Sequence, residues 1–263
     1  MARSLMTVDR HQTLICGHAL FRGESAELID AIARLREEPT AQLVVTPNVD
    51  QVLLAGHDPA AADAFGDAAL LLADGAPLVG LARLLGDTRV RRHTGADLIQ
   101  LAAREAASRG WRIAIVGGEP SVARMAAARL SDQNPGAALI AVPTPRLSGV
   151  RDSAGAALVE ELRRLQPDIV FLCFGFPRQE AWWAHWRSGL PAAVYVGAGA
   201  AVDFAAGTKT RAPRFAQRLG IEWMWRLAQE PRRLTGRYLV RGPRFAGTVI
   251  RSLLHGRKRE VAR

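Results

Sequence analysis

Cysteine and lysine are nearly missing from this chain of 263 residues: there are two cysteines, Cys16 and Cys173, and two lysines, Lys209 and Lys258. Two thiols far apart in apolar segments cannot build a disulfide scaffold or a cysteine-ligated metal site, and both are expected to be buried and reduced. Long hydrophobic runs are missing too. Although 49% of the residues are hydrophobic, no run reaches the ~18–20 apolar residues that a membrane-spanning helix needs. The longest candidate, from Leu190 to Gly207, is broken by Pro191, several glycines and Asp203. The opening MARSLMTVDR holds no apolar stretch of the kind a secretory signal carries, so a cytoplasmic location is expected. Several signatures of catalysis are absent as well: G-x-x-x-x-G-K-[ST], G-x-S-x-G, H-E-x-x-H and D-x-D. Gly197-Ala198-Gly199 begins a dinucleotide fingerprint, but Val202 stands where its third Gly or Ala belongs. The acid at the right distance, Glu222, falls in a helical pattern, which argues against a nicotinamide-dependent oxidoreductase.

What is present in excess is positive charge, and it is unevenly placed. The chain has 35 basic and 25 acidic residues, net +10. Residues 209–263 hold 15 of the basic and 3 of the acidic ones, leaving 20 and 22 in the first 208. A near-neutral body with a strongly basic tail points to an anionic partner. Within the tail Arg233, Arg237 and Arg241 are spaced four apart and share one helical face, with Arg244 beyond the Gly242-Pro243 break; Tyr238, Phe245, Val249 and Leu253 fall on other sides. Such a stretch suits the surface of an anionic bilayer. Residues 213–229 read equally well as a helix docked on the body. A nucleic-acid partner would use the same charge but gives no reason for the polar strand ends described next, and none is expected.

In residues 1–208 short apolar runs alternate with longer amphipathic ones. Strands are expected at Leu43–Thr46, Ala69–Ala73, Arg112–Val116, Ala138–Val142, Ile169–Phe174 and Ala193–Val196, and helices at Ala26–Arg36, Asp97–Ser108, Val122–Leu130 and Ala154–Leu165. This alternation predicts an α/β domain with a largely parallel sheet and helices on both faces, followed by a basic helical appendage over 209–263. Ligands of such sheets bind beyond the carboxyl ends of the strands. Five of those ends are polar or glycine-rich: Thr46-Pro47-Asn48, Asp74-Gly75, Gly117-Gly118, Gly175-Phe176-Pro177-Arg178-Gln179-Glu180, and Gly197-Ala198-Gly199 with Asp203 after it. Each has an ordinary structural reading: Asn48 as a helix cap, Asp-Gly and Gly-Gly as turns, Pro177 in the first turn of a helix. At one edge of one sheet they outline a single polar site. Asp74 ends an apolar run at its mouth. Arg91-Arg92 precede a helix start in which Thr94 and Asp97 form a cap, and a helix N-terminus beside arginines suits a diphosphate. An acid to take a proton and arginines to hold phosphate together suggest group transfer from a nucleotide-activated donor without a metal.

These segments occur in order with Arg92-His93-Thr94-Gly95-Ala96-Asp97-Leu98, Arg211-Ala212-Pro213, Glu222-Trp223, Arg226-Leu227 and Glu230-Pro231-Arg232-Arg233. Over roughly residues 12–240 the sequence resembles the WecG/TagA/CpsF glycosyltransferases. The resemblance implies a Rossmann-like body and an inverting, metal-independent transfer. The donor would be a UDP-sugar and the acceptor a polyprenyl-diphosphate-linked saccharide. The C-terminal appendage would help complete the site and hold the enzyme on the inner face of the cytoplasmic membrane, in bacterial polysaccharide synthesis. It implies Asp74 as catalytic base, with Thr46 and Asn48 near it, Arg92 as the residue stabilising the diphosphate and Gln179 as a further active-site contact. Gly117, Gly118, Gly175, Gly197, Gly199, Asp203 and Arg211 would line the substrate site; no cofactor is implied. Many members read Pro-Asp-Gly where this chain reads Ala73-Asp74-Gly75, so the donor sugar stays open between N-acetylmannosamine and other hexoses such as glucose. A monomer completed by its own tail and an oligomer that covers the site both fit the sequence.

Overall fold

A computed structural model describes residues 5–144 and 149–213, together with 216, 224, 225 and 247. In chain order the strands are β1 Met6–Val8, β2 Thr13–Ile15, β3 His18–Ala19, β4 Gln42–Val45, β5 Leu70–Leu71, β6 Arg112–Gly117, β7 Ala138–Val142, β8 Ile169–Cys173 and β9 Val194–Gly197. The helices are α1 Ser25–Arg36, α2 Val49–Ala55, α3 Pro59–Gly66, α4 Ala76–Leu84, α5 Gly95–Arg109, α6 Pro120–Gln133, α7 Ser153–Leu165, α8 Arg178–Trp186 and α9 Ala201–Ala206. Strands β4 to β9 form one six-stranded sheet in the order β5-β4-β9-β8-β6-β7, with every pairing parallel.

Side chains in these strands alternate between two apolar layers, as the two-residue period of a strand requires. Ile113, Ile115, Ile169, Phe171, Val194 and Val196 pack on one face with Leu28, Ile29 and Ile32 of α1, Leu98 and Ile99 of α5, Leu130 of α6 and Val202 of α9. Ala114, Val116, Val170, Leu172, Leu43, Val45 and Tyr195 pack on the other with Val52 of α2, Leu78 and Leu81 of α4, Leu158 and Leu162 of α7 and Trp182 of α8. Because helices cover both faces, the central strands are apolar throughout; all five residues of β8 are buried. Each large aliphatic or aromatic side chain removed from water here contributes about 1.5–3 kcal/mol before the entropy of ordering is counted.

The six strands and four helices expected from periodicity are all present, with ends shifted by a few residues. The expected parallel sheet with helices on both faces is the architecture found. The first strands are an addition: β1, β2 and β3 form a small antiparallel sheet beside β5, joined to it where the Phe21 N–H donates to the Leu71 carbonyl at 2.8 Å. Asp87 anchors this sheet. It is buried, accepts a hydrogen bond from the Thr13 hydroxyl and pairs with the Arg22 Nε at 2.7 Å. Burial pushes its carboxyl up, but Thr13, the Arg89 amide and the Arg22 charge outweigh that and hold it below the ordinary carboxylate range. Neither cysteine is in a disulfide; Cys173 is buried as expected, whereas Cys16 is half-buried at a turn with φ +52°. Burial pushes their thiols up to about 12 and about 11. Among the described residues no helix is long and apolar enough to cross a membrane. Arg233, Arg237, Arg241 and Arg244 lie outside the described residues, as does nearly all of the 209–263 appendage.

The connections decide where a ligand can enter. The chain leaves β4, β5 and β8 for helices on one face and leaves β6 and β9 for helices on the other. Loops from neighbouring strands therefore part on both sides of β9 and again on both sides of β6, the kind of place at which α/β sheets open a binding crevice.

Candidate active site

The carboxyl ends of β4 and β5 lie side by side. The Leu72 N–H donates to the Val45 carbonyl and the Asp74 N–H to the Pro47 carbonyl, both at 2.9 Å. On the far side of β5 the segment leading into α5 continues the edge, with the His93 N–H donating to the Ala73 carbonyl at 3.0 Å. The buried His93 ring is fixed in turn by a 2.9 Å contact between Nε2 and the Gly23 carbonyl. Half-buried Asp74 is thus set between Asn48 on one side and Arg92 on the other, which are residues of three different loops.

Thr46, Asn48 and Gln179 are engaged with the backbone that shapes this edge. The buried Thr46 hydroxyl donates to the Gly197 carbonyl at 3.0 Å and ties the end of β4 to the end of β9. Asn48 caps α2: its Oδ1 accepts from the amides of Asp50 and Gln51 at 3.0 and 3.2 Å, while the Gln51 side chain accepts from the Asn48 amide at 2.7 Å. The Gln179 Oε1 accepts from the Gly175 amide at 3.1 Å and from the Gly199 amide at 3.2 Å, bridging the loops after β8 and β9. Its Nε2 donates to Glu180 Oε1 at 2.7 Å. Both side chains fit because residue 197 is glycine. A Cβ there would stand 2.5 Å from Glu180 Oε1 and 2.6 Å from Gln179 Nε2. Burial pushes the Glu180 carboxyl up to about 7, against the lowering effect of the Gln179 amide. In the sequence Glu180 is one residue of the Gly175–Glu180 motif, and nothing local marks it for a role.

The arginines gather at the start of α5. Thr94 caps this helix, its hydroxyl accepting from the Asp97 amide at 3.0 Å and donating to Asp97 Oδ2 at 2.8 Å. Asp97 also accepts from Arg211 Nη1 and lies 3.8 Å from Arg92 Nη2. Burial pushes the Asp97 carboxyl up, but the hydrogen bond and charge of Arg211, the Thr94 hydroxyl and the Arg92 charge outweigh it, and the group is held below its ordinary value. Arg92, Arg104 and Arg211 line a cavity of about 380 Å³ together with Asp97, Gln100 and Ser25. Three guanidinium groups around one space offer fork-shaped donor sets for phosphate oxygens.

The remaining expected residues lie farther along the edge. Gly117 and Gly118, with φ of +93° and +75°, turn the chain from β6 into α6, and Gly118 packs against Val202 of α9. Between the ends of β5 and β6 there are four interstrand spacings, about 19 Å, so one ligand touching Asp74 and Gly118 must be long. Asp203 stands in the first turn of α9 and pairs with Lys209 at 3.4 Å. The structure therefore brings Asp74, Thr46, Asn48, Gly175, Gln179, Gly197 and Gly199 around the ends of β5, β4, β9 and β8. Arg92 and Arg211 border this group, and Gly117, Gly118 and Asp203 form its outer end. Among the described residues no three of His, Cys, Asp and Glu converge as a metal-binding group.

The model of a family described as glycosyl transferase WecG/TagA/CpsF matches residues 14–259. The chain is also similar to a Bacillus subtilis (strain 168) protein named N-acetylglucosaminyldiphosphoundecaprenol N-acetyl-beta-D-mannosaminyltransferase. The two are 25% identical over 218 residues, covering 82% of this chain and 81% of that protein.

Proposed function

Because the chain belongs to the WecG/TagA/CpsF family of glycosyltransferases, we propose that it transfers a hexose or N-acetylhexosamine, with inversion, from a UDP-sugar to a polyprenyl-diphosphate-linked saccharide in bacterial polysaccharide synthesis. The carrying observation is the placement of Asp74. Two backbone hydrogen bonds, Asp74 to Pro47 and His93 to Ala73, set this acid between the end of β4 and the arginine-bearing segment. In the proposed reaction the acceptor hydroxyl oxygen attacks the anomeric carbon of the donor. The hydroxyl proton passes to the Asp74 carboxylate, the new glycosidic bond forms, and the bond from the anomeric carbon to the diphosphate oxygen breaks. UDP departs with that electron pair. Negative charge grows on the leaving diphosphate, and the guanidinium groups of Arg92 and Arg211 supply the opposite charge that a metal supplies elsewhere. Thr46, Asn48 and Gln179 hold the loops on which the sugar rests, and the glycine turn at 117–118 with Asp203 receives the far end of the nucleotide.

The proposed acceptor is supported by the Bacillus subtilis relative, whose name specifies a sugar on a diphosphoundecaprenol. A substrate with a polyprenyl tail is held in a membrane. The basic segment carrying Arg233, Arg237, Arg241 and Arg244 would bring the enzyme to the inner face of the cytoplasmic membrane by charge rather than by a spanning helix. The test is a panel of UDP-sugars with a short polyprenyl-diphosphate-sugar acceptor in EDTA, recording UDP release and the anomeric configuration of the product. Release with one donor and an inverted product is expected. Release that requires an added divalent metal would refute the arginine-only account, and absence of UDP binding by calorimetry would refute the donor class.

A further inference from the structure

Glu180 is a buried acid for which the mechanism above has no use. It is 1% exposed, as is Gln179. Among the described residues its second carboxyl oxygen, Oε2, has no hydrogen-bond partner and no ion pair reaches it. Burying a carboxyl without a cation is unfavourable, and an apolar side chain would fill the same space at lower cost. It stands in the first turn of α8, where its carboxyl feels its own backbone N–H, but among the described residues it forms no ion pair. What it does is accept, through Oε1, the Gln179 Nε2 hydrogen at 2.7 Å.

That bond matters because an amide has two unlike ends. The Gln179 oxygen must face the Gly175 and Gly199 amides to join their loops, and it does so only while its NH2 faces an acceptor on the opposite side. Next to the pair, Gly197 lacks the Cβ that would displace both side chains, and its carbonyl receives the Thr46 hydroxyl. The ends of β4, β8 and β9 therefore meet at one buried pair. We propose that Glu180 is a positioning residue for glycosyl transfer: by fixing the orientation of the Gln179 amide it holds the Gly175 and Gly199 loops in the arrangement that carries the donor sugar. This inference rests on the transferase reading for its catalytic consequence, but its structural half stands apart from it. The role needs an acceptor oxygen and not a charge, so glutamine at this position should serve.

The test compares Glu180→Gln, Glu180→Leu and Gly197→Ala in the full-length protein, by steady-state kinetics and by NMR amide exchange at Gly175 and Gly199. Glu180→Leu and Gly197→Ala are expected to lower kcat roughly 10- to 100-fold, the scale of a misplaced reacting group. They should speed exchange at both glycines while leaving the amides of β6 and β8 protected. Glu180→Gln is expected to restore kcat and exchange to near wild type. Should Glu180→Leu not fold, the other two variants still decide. The proposal is overturned by unchanged kcat and exchange in Glu180→Leu or in Gly197→Ala. It is equally overturned by a Glu180→Gln variant as impaired as Glu180→Leu, which would make the carboxyl itself part of the chemistry. If the wild type turns over no donor, the transferase reading fails, and the exchange data alone decide the positioning role.

Discussion

Asp74 and Arg92 differ from Thr46, Asn48 and Gln179 in what surrounds their side chains. Thr46 and Gln179 are buried and bond the backbone of other loops, and Asn48 caps the helix it begins, whereas Asp74 and Arg92 are half-buried at the rim. Substitution of the first group should damage geometry, and substitution of the second should damage chemistry. Glu180 adds a pH signature to the first group. Its carboxyl ionises near 7 in the folded chain and at the ordinary 4.5 when unfolded. The folded state therefore binds more protons between these values, and folding stability falls as pH rises from about 4.5 through about 7. That single group accounts for a loss on the order of 3 kcal/mol, present above the folded value and absent below 4.5. Denaturant melts across pH 4–8 are expected to show this slope in the wild type and a shallower one in Glu180→Gln. Parallel slopes would show that the carboxyl is not held neutral. The site was partly legible at this scale: Asp74 and Arg92 stand out from their motifs, but the Gln179–Glu180 pair does not. Nothing in a linear sequence says that residue 197, distant in the chain, is the glycine that makes room for it.

At the scale of elements, a few side chains fix where helices begin, and the site depends on those starts. Thr94 caps α5 and also orients Asp97 toward Arg92 and Arg211. Thr94→Ala removes the cap, which costs about 0.5–2 kcal/mol, and frees Asp97 from one of its partners. Thermal melts are expected to show that destabilisation, with Thr94→Ser recovering most of it; no difference between alanine and serine would mean that the hydroxyl is not the cap. The threonine was legible in advance because a cap and its third residue form a local pattern. The central sheet strands were legible for a related reason: a strand buried on both faces reads as a continuous apolar run, as in Ile169–Cys173. The strands β1 to β3 were not, because two or three residues cannot display a period. The order β5-β4-β9-β8-β6-β7 was not legible either, since pairing between β4 and β9 joins residues about 150 apart in the chain and leaves no local trace.

For the whole molecule, the division of charge is the feature that sequence alone establishes. The first 208 residues are near neutral and the last 55 carry the excess. Removal of residues 232–263 is expected to weaken binding to vesicles containing anionic lipid. The difference from the full chain should shrink as salt is raised past physiological strength, where the screening length drops below 8 Å. Equal binding by both forms at low salt would move the membrane contact to the body of the protein.

The step on which the proposed transfer depends is removal of the acceptor proton by Asp74, held at the end of β5 beside the arginines. Its most direct test is UDP release by Asp74→Asn against wild type at saturating donor and acceptor, with UDP affinity measured on both proteins by calorimetry. A general base contributes about 10²- to 10⁴-fold, so kcat is expected to fall by that factor while UDP binds the variant as well as the wild type. Wild-type kcat in Asp74→Asn, with UDP bound equally, would exclude Asp74 as the base.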